Sequence, residues 1–120
     1  MKTVEEWKTV LRAELKNAMR SRQLAHVSVL RETLAAIDNA EAADLSTAPA
    51  VEHGVIAGGI AGRGTGEVAR KSLSPAEVRA ILERELSERR QAEATYTKFG
   101  QHEQAEALRL QISLLTSFVD

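Results

Sequence analysis

Ser74-Pro75-Ala76-Glu77-Val78 opens the most sharply bounded helix in this chain. A serine cap accepts from the amide of the third helical residue, and Glu77 at that position reaches back to the serine amide. Pro75 is tolerated at the first helical position, where the missing N–H has no intrahelical partner anyway. From there Val78, Ile81, Leu82, Leu86, Ala92 and Tyr96 recur at helical spacing, and Phe99-Gly100 ends the run. A second periodic run, from 102 to 119, follows after so short a connection that the two helices form an antiparallel hairpin.

Working back towards the N-terminus, the spacing predicts a first helix over 4–22, with Thr3 and Glu6 as another capping box. Val4, Trp7, Leu11, Leu15, Ala18 and Met19 share its apolar face. A second helix is predicted over 26–43, with Val27, Leu30, Leu34 and Ile37 as its stripe. The intervening Ser21-Arg22-Gln23-Leu24-Ala25 holds neither Gly nor Pro, so a bent continuous helix is the alternative. The expectation is one all-α, four-helix domain spanning the 120 residues.

Residues 44–73 read as a flexible glycine-rich loop. Asp44-Leu45-Ser46-Thr47-Ala48-Pro49 opens it, and six of the seven glycines follow between Gly54 and Gly66. Glycine at that density costs too much backbone entropy for a helix. The pattern does not make a phosphate cradle. Lys71-Ser72 follows Arg70 where a P-loop needs glycine, and Gly62, Gly64 and Gly66 are followed by Glu67.

Lys plus Arg (16) nearly balances Asp plus Glu (17), which excludes a histone-like polycation and an acidic disordered tail. The absence of cysteine excludes disulfides, thiolate metal sites and a Cys nucleophile. His26, His53 and His102 lie on different segments without metal-ligand spacing, so no metal and no cofactor are expected. With no long apolar run and no signal-peptide pattern, a cytoplasmic location without membrane association is expected. Trp7, Tyr96, Phe99 and Phe118 are too few for an aromatic stacking platform.

Charge is nevertheless uneven. Residues 1–24 carry six Lys or Arg against three Glu, whereas 25–60 carry one against five acids. Lys8, Arg12, Lys16 and Arg20 recur every four residues as a stripe winding slowly round the first helix. Such a stripe suits a nucleic-acid backbone, with Arg63, Arg70 and Lys71 as a second basic group by the loop. A solvated helix face is the plainer explanation of the stripe alone.

Two further features stand out. Glu85 and Arg89 project near the centre of the third helix's apolar face, at i, i+4 spacing, while Glu41 extends the second helix's stripe. A polar cluster of Glu41, Glu85 and Arg89 is expected where those helices meet, either fixing register or forming a site. The last helix is apolar on two sides: Ala105, Leu108, Ile112, Leu115 and Val119 on one, Ala107, Leu110, Leu114 and Phe118 on the other. The second stripe calls for a further helix, a second copy of the chain or another partner.

Val29-Leu30-Arg31-Glu32-Thr33-Leu34-Ala35-Ala36-Ile37-Asp38-Asn39-Ala40-Glu41 resembles the second-helix motif of the GatB/YqeY family. Leu73-Ser74-Pro75-Ala76-Glu77-Val78, followed by Glu85, Arg89-Arg90, Tyr96 and Phe99-Gly100, resembles its third helix and hairpin turn. The likeness covers about 1–43 and 73–119, with the glycine loop as an insertion. It implies a small YqeY-like helical protein, related to the tail of the B subunit of the tRNA-dependent amidotransferase. That tail is implicated in holding tRNA, and the amidation chemistry belongs elsewhere in the enzyme. The label carbon–nitrogen ligase with glutamine as amido-N-donor reads as inherited from it.

The chain departs from the family pattern in places. Gln101-His102-Glu103-Gln104-Ala105 replaces the usual Arg-Glu-Asp-Leu-Ala, and family glutamates correspond to Leu108 and Gln111. Where the family continues through a Tyr-Leu-Pro turn into a smaller domain, the sequence reads Phe118-Val119-Asp120. The resemblance thus implies that the second stripe of the last helix is a vacated docking surface.

These readings converge on a non-catalytic accessory module that binds tRNA or a tRNA-handling partner through Lys8, Arg12, Lys16 and Arg20, assisted by Arg63, Arg70 and Lys71. The alternative is a protein-interaction or homodimerisation module assembled through Leu110, Leu114 and Phe118. A carbon–nitrogen ligase using Glu41, Glu85 and Arg89 ranks third.

Overall fold

The computed structural model describes residues 2–46 and 72–119. These form four helices, α1 (Val4–Arg20), α2 (Leu24–Ser46), α3 (Pro75–Lys98) and α4 (His102–Val119), and the described residues contain no strand. The fold is all-α.

Both capping boxes form. The Thr3 hydroxyl accepts from the Glu6 amide at 3.1 Å, and the Glu6 carboxylate accepts from the Thr3 amide at 2.8 Å. Ser74 and Glu77 repeat the arrangement at the start of α3 with the same two distances. Each box satisfies two amides that a helix start otherwise leaves to water.

The helix ends explain where the predicted boundaries shift. α1 stops at Arg20, two residues short of the predicted end, because Arg22 turns into the left-handed region with φ 59°. The Arg22 amide then donates to the Met19 carbonyl (3.3 Å) and the Gln23 amide to the Ala18 carbonyl (2.9 Å). This is a Schellman closure. It frees α2 to begin at Leu24, two residues earlier than predicted, so the break is real and the bent continuous helix is not formed. At its other end α2 runs on to Ser46, so Asp44-Leu45-Ser46 extends the helix rather than opening the loop. Nothing in that tripeptide breaks a helix, and the first proline comes only at Pro49. The rest of the glycine-rich segment, 47–71, lies outside the described residues.

α3 closes as α1 does. The Gly100 amide donates to the Thr97 carbonyl (3.1 Å) and the Gln101 amide to the Tyr96 carbonyl (2.9 Å), with Gly100 at φ 71°. A methyl group added at Gly100 meets nothing within 4 Å, so the left-handed backbone alone sets the cost of a side chain there. Gly100→Ala is therefore expected to lose about 1 kcal/mol of stability in urea unfolding. An unchanged midpoint would show that this turn relaxes.

Contacts divide the chain into two units, one of Met1–Leu34 with Ser74–Asp120 and one of Ala35–Leu73. In the first, α3 and α4 make the closest pair, and α1 lies against α3. Its buried side chains are Trp7, Leu11 and Ala18 from α1, Val29 and Leu30 from α2, Val78, Ile81, Leu82 and Leu86 from α3, and Ala105, Leu115 and Val119 from α4. Thr33 is also fully buried, and its hydroxyl donates to the Val29 carbonyl at 2.7 Å. That internal bond lets a polar residue occupy the core. The Trp7 indole N–H is buried without a hydrogen-bond partner among the described residues. Met19, placed by periodicity on the apolar face of α1, is instead 51% exposed. It lies at the edge of the Trp7/Leu11/Ala18 face, in the last turn, where little follows to cover it. In the second unit, Ile37 and Glu41 are buried.

Candidate functional site

Three features of the first unit bear on function. The most buried is an arginine. Arg89 sits in the apolar stripe of α3 and donates from all three of its side-chain nitrogens. Nη1 reaches the Glu85 carboxylate at 2.7 Å and the Glu85 carbonyl at 3.1 Å, and Nε reaches the Gln111 side-chain oxygen at 3.0 Å. Nη2 bonds the Glu32 carboxylate. One side chain thus ties α2, α3 and α4 together.

The expected Glu85–Arg89 pair is therefore formed. Glu41 lies further along α2, in the second unit, where it is buried. The partner from α2 that periodicity does not reveal is Glu32. Its side chain is 59% exposed, on the far side of α2 from the Leu30/Ile37 stripe, and it reaches Arg89 only through its length. Gln111 supplies an acceptor without a third carboxylate charge. With two carboxylates already on one guanidinium, a third would be buried with no cation left to face it. The arrangement holds helices in register, and its acid groups are committed to that arginine.

A second network is superficial. The Arg109 guanidinium meets Glu106 (2.9 Å), Glu93 (3.0 Å) and the Thr97 hydroxyl (3.3 Å) across the α3–α4 hairpin. The hydrogen bond that Arg109 donates to Glu106, with the charge of Glu93 and the hydrogen bond donated to it, raises the Arg109 pKa above its ordinary value. Arginine is charged at every relevant pH in any case.

The third feature is the outward face of α1. Arg12, Lys16 and Arg20 are exposed on the side opposite Trp7, Leu11 and Ala18, and Lys8 is half-buried at one end of the row. Glu14 falls within the row's span but is half-buried, nearer the Trp7/Ala18 side of the helix. No Asp or Glu follows until Glu32, so the row from Lys16 and the turn beyond it carry only positive charge. No ion pair among the described residues holds Arg12, Lys16 or Arg20. Their charge faces solvent. Arg63, Arg70 and Lys71 lie outside the described residues.

On α4, the first apolar stripe is the covered one, with Ala105, Leu115 and Val119 buried. Of the second, Leu110 is 47% exposed while Leu114 and Phe118 are half-buried. The hydrophobic face offered to a partner is thus narrower than the sequence implies.

Among the described residues no group of His, Asp and Glu could hold a metal ion. His26 Nδ1 lies 2.9 Å from the Gln23 side-chain oxygen, His102 is exposed, and His53 lies outside the described residues. No described helix is long and apolar enough to cross a membrane. No family model, curated protein or solved structure matches the chain.

Proposed function

We propose that this chain is a helical, non-catalytic accessory module that binds tRNA or a tRNA-handling partner through the outward face of α1. The observation that carries the reading is the set of exposed cations Arg12, Lys16 and Arg20, which no ion pair among the described residues holds. An ordinary solvated helix face mixes both signs, because i, i+4 pairs of opposite charge stabilise it. From Arg12 to Arg20 the face forgoes that stabilisation and places like charges four residues apart, a mild mutual repulsion that a polyanion would relieve. From Lys8 to Arg20 the row extends about 18 Å at the α-helical rise of 1.5 Å per residue, long enough to meet several successive phosphates. The GatB/YqeY resemblance points to the same class of ligand. Commitment of Glu85 to Arg89 favours a structural role for that pair over an active site.

The test is fluorescence anisotropy of labelled bulk tRNA titrated with the chain at low and moderate salt, with duplex DNA as competitor. Binding that weakens with salt and survives the DNA competitor is expected. No binding at low salt, where phosphate contacts are strongest, would refute the reading.

A further inference from the structure

The corner where α1 passes into α2 differs in character from the rest of the basic row. Met19 is 51% and Leu24 77% exposed, and Lys16, Arg20 and Arg22 beside them in sequence are exposed cations. Arg22 holds the left-handed backbone conformation, which disfavours every residue with a Cβ.

The chain itself supplies the comparison. α1 and α3 close with the same pair of amide–carbonyl bonds, yet α3 has Gly100 at the left-handed position. A cation there is not needed for the helix dipole, since Arg20 already lies in the last turn of α1, as Lys98 does in that of α3. An arginine held in an unfavourable conformation, in a turn whose flanking Met19 and Leu24 are both exposed, is a local cost in search of a ligand. α2 then starts with no acidic residue in its first turn, so nothing there offsets the positive field.

The size and charge of the patch select the occupant. Two apolar side chains are too few for a stable protein interface or a membrane anchor. They are commensurate with one nucleobase between flanking phosphates. A paired A-form helix hides its bases in stacking and in a narrow major groove, so only an unpaired nucleotide exposes a base face to such side chains.

We propose that the Met19/Leu24 corner takes an unstacked nucleotide from an RNA loop or bulge, with Arg20 and Arg22 on the adjoining phosphates. This rests on the reading of α1 as an RNA-binding face and adds to it a preference for unpaired over paired RNA.

The experiment compares two labelled RNAs with equal numbers of phosphates, a stem closed by an unpaired loop and a blunt duplex, for wild type, Met19→Ser/Leu24→Ser and Arg22→Gly. Wild type is expected to bind the loop RNA about ten-fold more tightly. The double variant should bring the two RNAs to near parity while leaving duplex affinity and its salt dependence unchanged. Arg22→Gly should keep or raise the thermal midpoint, because glycine suits the turn, yet weaken loop binding several-fold. A purely structural role for Arg22 would move only the midpoint. Equal affinity of wild type for both RNAs, or a preference that survives the double variant, overturns the proposal while duplex binding still upholds the α1 face. Failure to bind either RNA removes both. Leu24-dependent binding to phosphatidylserine vesicles, without a loop preference, would assign the corner to a lipid surface instead.

Discussion

Arg89→Ala is expected to destabilise the protein by about 3–5 kcal/mol, the usual consequence of removing one partner from a buried ion pair. The substitution leaves the Glu85 carboxylate, only 13% exposed, without the nitrogen 2.7 Å away that compensates its burial. It also strips Gln111 of its donor and cuts the link from α3 to α2 and α4 at once. A domain of this size has about 5–15 kcal/mol in hand, so a large share of its stability is at stake. Arg89→Lys keeps the charge but presents no planar fork, and falls between wild type and alanine. Glu32→Gln is expected to cost less than about 1 kcal/mol, since that carboxylate is largely exposed. Urea unfolding followed by circular dichroism ranks the three variants. An Arg89→Ala protein as stable as Glu32→Gln would mean that the arginine does not hold the helices together.

The contrast between Glu85 and Glu32 shows how far a sequence can be read. Helical period brings out any residue whose Cα lies on the buried face, so Glu85 and Arg89 are visible among Val78, Leu82 and Leu86 as polar intrusions. Glu32 is invisible to that argument. Its Cα faces water, and only the reach of a long side chain brings its carboxylate to Arg89. Boundaries divide along similar lines. Thr3/Glu6 and Ser74/Glu77 are local hydrogen-bond patterns written within four residues, and both formed as expected. The α1–α2 turn has no glycine at its left-handed position, so the residue that makes the turn, Arg22, carries no turn signature. Met19 misleads for a related reason: periodicity reports which face a residue is on, and not whether a neighbouring element extends far enough to cover it. The exposed cations of α1, by contrast, are fully legible, because their spacing from the Trp7/Leu11/Ala18 stripe fixes them outward.

The second large effect concerns binding and not folding. Arg12→Glu/Lys16→Glu reverses two exposed charges in the middle of the row. Surface substitutions of this kind change stability by roughly 0.5 kcal/mol or less. Their effect on a polyanion is of another order. Two phosphate contacts are lost and two repulsions are introduced, so tRNA affinity is expected to fall at least ten-fold at low salt. The same variant should retain the wild-type helical content and thermal midpoint, which separates loss of the interface from loss of the fold.

The salt dependence of tRNA binding by wild type and by this variant tests the central claim most directly. Each neutralised phosphate contributes about −0.7 to −0.9 to the slope of log K against log salt, so a row of four cations predicts a slope of about −2.8 to −3.6. With Arg12 and Lys16 reversed, the slope should shrink by roughly 2 units as two counterion-releasing contacts disappear. Wild type and variant sharing one slope and one affinity would contradict the account, because whatever held the RNA would not be the outward face of α1.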